Sequence, residues 1–156
     1  MEPVRAGAVP LGRGTPDLFV TVSRNGQPFL RIDVHAEYFT GPYCAAIVWK
    51  SFTVIGWNDV VHFVDVNSRL TRSIRCESYF GSFRPLDETL LIADAAQIVC
   101  VDDRGQQLWK SERVGIDGVV IDRIVDGLIL GEGEWDPPGG WRPFRLLLAS
   151  GQPAER

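Results

Sequence analysis

"TVIGWNDVVHFVD" (residues 53–65) lies without a gap over "LLIADAAQIVCVD" (residues 90–102), 37 positions downstream. Val54 falls on Leu91, Ile55 on Ile92, Gly56 on Ala93, Val61 on Ile98, Val64 on Val101 and Asp65 on Asp102. Apolar positions stay apolar and small ones stay small through two β-rich runs parted by a short polar turn, which is the mark of a repeated β unit. A third copy emerges when "PLDETLLIAD" (85–94) is shifted by 38 onto "RIVDGLILGE" (123–132), so that Leu86 meets Ile124, Leu91 meets Ile129 and Ala93 meets Gly131. Beyond that point Val101-Asp102 find their counterpart at Leu148-Ala149, and "WDPPGGWRP" fills the interval as an insertion in the last copy.

Working outward, "LFVTVS" and "PFLRIDVH" flank Asn25-Gly26, a pair that takes the positive φ angles a tight hairpin needs. Residues 1–17 hold Pro3, Pro10 and Pro16 with Gly7, Gly12 and Gly14, and an irregular arm is expected there. "RPLDETLLIADAAQIV" has helix formers in Glu88, Ala93, Ala95 and Ala96, but its overlay on β-branched copies makes it strand. The expected fold is all-β: one domain over 18–156, with a hairpin at 18–36 and antiparallel meander units at about 44–78, 79–115 and 116–151. A β-trefoil, suggested by "QLW" at 107–109, and a two-sheet sandwich are the alternatives.

"IVCVDDRGQQLWKS" (98–111) resembles a blade of the pyrroloquinoline-quinone-type and WD-type β-propeller families: a hydrophobic strand ends at Asp102, turns through Gly105 and resumes in a strand bearing Trp109. The resemblance implies propeller-blade-like units. Closed propellers use four to eight blades, so three units plus a hairpin leave sheet edges for the N-terminal arm, or for a second copy, to cover. A homodimer is expected on that ground.

Composition narrows the function. With 45% hydrophobic and 23% charged residues and a formal net charge of −4, the 156-residue chain suits a globular domain and argues against nucleic acid or an anionic membrane as partner. No stretch approaches the ~18 apolar residues that span a bilayer, and the N-terminus has no apolar signal core. Cys44, Cys76 and Cys100 are odd in number and widely spaced, which favours a reducing cytoplasm over a disulfide framework and supplies no metal-ligand pairing. No cofactor or metal is expected. In "RLTRSIR", alternation places Arg69, Thr71, Ser73 and Arg75 on one side of a strand.

No nucleophile elbow, zinc-protease motif or phosphate loop is present, so the sequence leans away from an enzyme. His62 alternates with Val60 and Val64 and reads as a hydrogen-bonded strand residue; His35 and Glu37 share a face if their strand continues. The overlay puts Trp57, Asp94 and Glu132 at one structural position, a shared loop rim of the kind that carries binding groups. Glu132, Glu134 and Asp136 alternate, as carboxylates gathered for a cation or for acid–base work would. Trp135, Trp141 and Arg142 flank the Pro137-Pro138-Gly139-Gly140 turn and are candidate anchors for a partner. The sequence thus points to a non-catalytic module that binds another protein through a Trp-rich rim, of inhibitor or immunity type. The alternative is a carbohydrate-binding protein or a carboxylate-dependent glycoside hydrolase.

Overall fold

The computed structural model describes residues 8–35 and 41–155. Within them there is no helix; the chain forms fourteen strands in four small sheets, none closed into a barrel. Sheet A contains β1 (Ala8–Leu11), β2 (Leu18–Arg24) and β3 (Gln27–Val34). Sheet B is a meander of β4 (Cys44–Trp49), β5 (Phe52–Trp57), β6 (Val60–Asp65) and β7 (Thr71–Arg75). Sheet C repeats it with β8 (Phe80–Pro85), β9 (Thr89–Asp94), β10 (Ile98–Asp102) and β11 (Gln107–Lys110). Sheet D has β12 (Val119–Val125), β13 (Leu128–Glu134) and β14 (Trp141–Leu147). The expected hairpin and three meanders are therefore present, and neither the barrel of a trefoil nor a two-sheet sandwich is.

Local chemistry makes the turns. Asn25 and Gly26 take φ of 50° and 74° and close the β2–β3 hairpin. Asp65 and Asp102, equivalent in the overlay, end β6 and β10 in the same manner: the Oδ1 of Asp65 accepts from the N–H groups of Asn67 and Ser68, and that of Asp102 from those of Arg104 and Gln106. Gly105 follows at φ 71°, its N–H bonded to the Asp102 carbonyl.

The sheets stack in chain order, and three cores lie between them. Leu30, Ile32 and Val34 meet Ile55 and Val64 between sheets A and B; Val54, Val61 and Phe63 meet Phe80, Leu90, Ile92 and Val101 between B and C; Leu91, Ile98 and Cys100 meet Val119, Ile129 and Leu146 between C and D. The 37-residue overlay preserves facing: Ile55 points back to sheet A as Ile92 points back to B, while Val54 points on to C as Leu91 points on to D. Polar bonds between sheets keep the same stride. The indole of Trp49 donates to the carbonyl of Leu86, 37 residues on; Arg84 donates to that of Asp122 at 38; Trp109 donates to that of Leu148 at 39. Neighbouring sheets approach most closely at β4, β8 and β12, the first strand of each meander, so the stack fans outward from that side.

Three expectations are corrected. Residues 8–11 form β1, not an irregular arm: β1 runs parallel to β3 with Val9 opposite Ile32, and Pro10, which has no N–H to donate, is accommodated because the strand is an edge. The third copy is not offset by 38. Ile129 faces sheet C as Ile92 faces sheet B, so the face-preserving offset is odd, and a one-residue slip sends every side chain to the wrong side. Arg69 stands in the turn before β7 at φ 62°, not on the strand beside Thr71 and Ser73. The insertion falls partly in a loop: residues 135–140 make the β13–β14 connection, while Trp141, Arg142 and Pro143 begin β14.

Candidate functional site

The β5–β6, β9–β10 and β13–β14 loops emerge at one end of the stack, together with the connections from sheet B to C and from C to D. Backbone hydrogen bonds stitch this end together. Phe80 donates to Asn58 and Cys76 to Asp59; Ala95 donates to Tyr79, Gly118 to Ala95, Val114 to Ala96, Glu134 to Gly118 and Ile116 to Glu134. The rim is therefore a continuous hydrogen-bonded ledge, and groups on it are held rigidly.

Asp94 is part of that ledge. It is 1% exposed; its Oδ1 accepts from the N–H groups of Ala96 and Gln97, each at 2.8 Å, and its Oδ2 from that of Glu77 at 2.9 Å. Burial raises its pKa, opposed by the N–H groups of Ala96 and Gln97. Asp94 fastens the β9–β10 loop to the connection entering sheet C. Trp57 is half-buried and packs into the core between sheets A and B. Glu132 is exposed in mid-strand and does not share their position, as the odd offset requires.

Glu134 is only 9% exposed, and its Oε1 accepts from the Gly139 N–H at 2.6 Å. Trp141, directly across the ladder from Glu134, reaches over the end of sheet D to Gly118, where an added Cβ would lie 3.0 Å from the indole. Asp136 stands exposed in the loop, its carbonyl accepting from the Gly140 N–H, and Trp135 closes the other side by donating to the Gly140 carbonyl. Arg142 is exposed on β14. The three carboxylates thus do not converge, and among the described residues no group of three or more His, Cys, Asp and Glu side chains is arranged to hold a metal ion. Trp57 belongs to sheet B and Trp135 and Trp141 border sheet D, with sheet C between them, so the indoles do not form one surface.

What the ledge presents is a cluster that sequence reasoning missed. Tyr43 is 54% exposed and its ring stands 6.1 Å from that of Tyr79. The Tyr79 hydroxyl donates to the Asp117 carbonyl at 2.5 Å, with the Asp117 carboxylate at 3.1 Å. Burial, then the bond and charge of Asp117, push the Tyr79 phenol up to about 12. Ile116 is exposed beside them, and ion pairs between Arg113 and Glu77 and between Arg75 and Asp59 border the patch. These residues come from three connections far apart in the chain, so no local pattern announced them; the 38-residue stride from Tyr79 to Asp117 was the available signal.

Elsewhere, the His62 Nδ1 shares a hydrogen bond with the Ser73 hydroxyl at 2.8 Å, and burial lowers its pKa, as suits a neutral strand histidine. Glu37 lies outside the described residues, so its pairing with His35 does too. All three cysteines are unpaired, Cys44 exposed and Cys76 and Cys100 buried; burial, with the charges of Asp94 and Asp59, pushes the Cys76 thiol up to about 12. The described residues contain no helix long and apolar enough to cross a membrane. Comparison of the chain with protein-family models and with curated proteins finds no match.

Proposed function

We propose that this chain is a non-catalytic binding module that engages another protein through the stitched rim, with Tyr43, Tyr79 and Ile116 as the contact centre and Trp135 at its margin. The observation that carries the reading is the Tyr43–Tyr79 ring pair, Tyr43 exposed and Tyr79 half-buried, beside a hydrogen-bonded ledge. Aromatic groups that are already immobile lose little entropy on docking, and exposed apolar rings bordered by ion pairs match the anchor-and-rim anatomy of protein interfaces. In this reading the Trp57, Asp94 and Glu134 side chains build the ledge and do not touch the partner. The fanned meanders correspond to an arc of propeller-type blades, with the rim as one mouth of the arc. The unpaired state of all three cysteines accords with a reducing compartment such as the cytoplasm.

The test is site-specific photo-crosslinking from position 43 in lysate, with position 70, an exposed residue at the opposite end of the stack, as control. A discrete protein adduct from position 43, absent from position 70 and weakened by Trp135→Ala, supports the reading. Adducts indistinguishable between the two ends, or no adduct, overturn it; a glycan adduct transfers the assignment to carbohydrate recognition.

A further inference from the structure

The two ends of the stack are finished differently. On the outer face of sheet A, Arg31 pairs with Asp33 and lies over the Phe19 ring, with Thr21 exposed beside them. Charged and hydroxyl groups dominate that face, and Phe19, 58% exposed, lies under the Arg31 guanidinium. Sheet D differs. Its registers place Val125, Leu128 and Leu147 in one row across the face turned away from sheet C, then Arg123, Leu130 and Arg145, then Val120, Glu132 and Pro143, then Glu134 and Trp141. Val120, Val125, Trp141 and Leu147 are each more than 40% exposed. Arg123, Glu132 and Arg145 take part in none of the ion pairs of the described residues.

We infer that the outer face of sheet D is a self-complementary interface that joins two copies of this chain, a property separate from the rim proposed above. The charge pattern selects the arrangement. A two-fold axis along the strands would set Arg123 against Arg145 of the second copy, twice over, in a closing apolar interface where like charges are costly. An axis across the strands, between the Leu130 and Glu132 rows, sets the Glu132 of each copy between Arg123 and Arg145 of the other. The same operation brings Trp141 over Leu147 and puts the apolar row under the indole, so the hot-spot side chain and the charges are satisfied together. Pairing of the D face with the A face of another copy would bury the Arg31–Asp33 pair and is disfavoured by its desolvation.

Sedimentation velocity over a range of concentrations tests this on the full chain. Wild type is expected to dimerise, more tightly at low salt than at high. Glu132→Arg should weaken the dissociation constant at least tenfold, and adding Arg123→Glu and Arg145→Glu to it should restore dimerisation, which a misfolded protein would not do. Phe19→Asp, on the outer face of sheet A, should leave the mass unchanged. A wild-type monomer at every concentration, a dimer indifferent to Glu132→Arg or not rescued by the triple variant, or one broken by Phe19→Asp, overturns the inference.

Discussion

Replacing Asp94 tests whether the rim is built as described. Its carboxylate satisfies three backbone N–H groups, those of Glu77, Ala96 and Gln97, at a site 1% exposed. Asp94→Ala strands all three donors without water, and a stranded buried donor costs about 1–3 kcal/mol. Water entering the vacated space recovers part of that, so we expect a loss of about 3–5 kcal/mol, a large fraction of the ~5–15 kcal/mol by which an ordinary domain is stable. Asp94→Asn keeps one acceptor oxygen and turns an amide toward at least one donor, for about 1–3 kcal/mol. The pH dependence separates this from a generic packing defect. Because burial raises the folded pKa of Asp94, the folded state holds its proton more tightly than the unfolded one. Its contribution is fully present below the unfolded carboxylate pKa and is lost as pH rises through the raised folded value; Asp94→Asn removes that slope. Urea unfolding at a series of pH values reads both quantities. An Asp94→Ala variant within about 1 kcal/mol of wild type would refute the assignment of Asp94 as the fastening of this loop.

Four further outcomes are expected. Gly56→Ala places a Cβ 2.5 Å from the Phe80 ring and should destabilise by about 1–3 kcal/mol in the same urea assay. Asp65 is held down to about 2 chiefly by the Ser51 hydroxyl and the Ser68 N–H; its stabilisation is present above the ordinary carboxylate pKa and lost as pH falls toward 2, so Asp65→Asn should cost about 1 kcal/mol near neutrality, after discounting for solvent screening, and flatten the acid limb of the stability curve. Trp109→Phe removes the indole bond to Leu148, 3.1 Å long, and should cost at least about 1 kcal/mol while increasing amide exchange in residues 146–151. Tyr79→Phe should cost about 1 kcal/mol and abolish the tyrosinate absorbance change centred near pH 12.

The hairpin was legible because Asn25-Gly26 is a local signal with one dominant structural use, and the meanders because a gapless 37-residue overlay carries facing as well as composition. β1 was hidden: its parallel pairing with β3 spans more than twenty residues with no turn motif, and Pro10 reads locally as a breaker. The register of the third copy was ambiguous because β13 is apolar on both faces, Leu128 and Leu130 as well as Ile129, leaving no alternation to choose between odd and even offsets. Leu128 and Leu130, the half-buried residues that caused this ambiguity, lie on the face turned away from sheet C. Site residues fared worst. Asp94 and Glu134 look in sequence like rim carboxylates, yet each is committed to backbone N–H groups of its own loops. Tyr43, Tyr79 and Asp117 meet only after three connections have folded.

The even stride of the inter-sheet bonds has a consequence for the chain during its synthesis. Since Trp49, Tyr79 and Trp109 each find a partner 37 to 39 residues ahead, no unit emerging from the ribosome can finish its own interface until the following one has followed it out. At ~5–20 residues per second, each nascent sheet waits about 2–8 s with one apolar face bare. The wait recurs once per unit and never grows with chain length, so the nascent protein exposes one incomplete face at a time, in order.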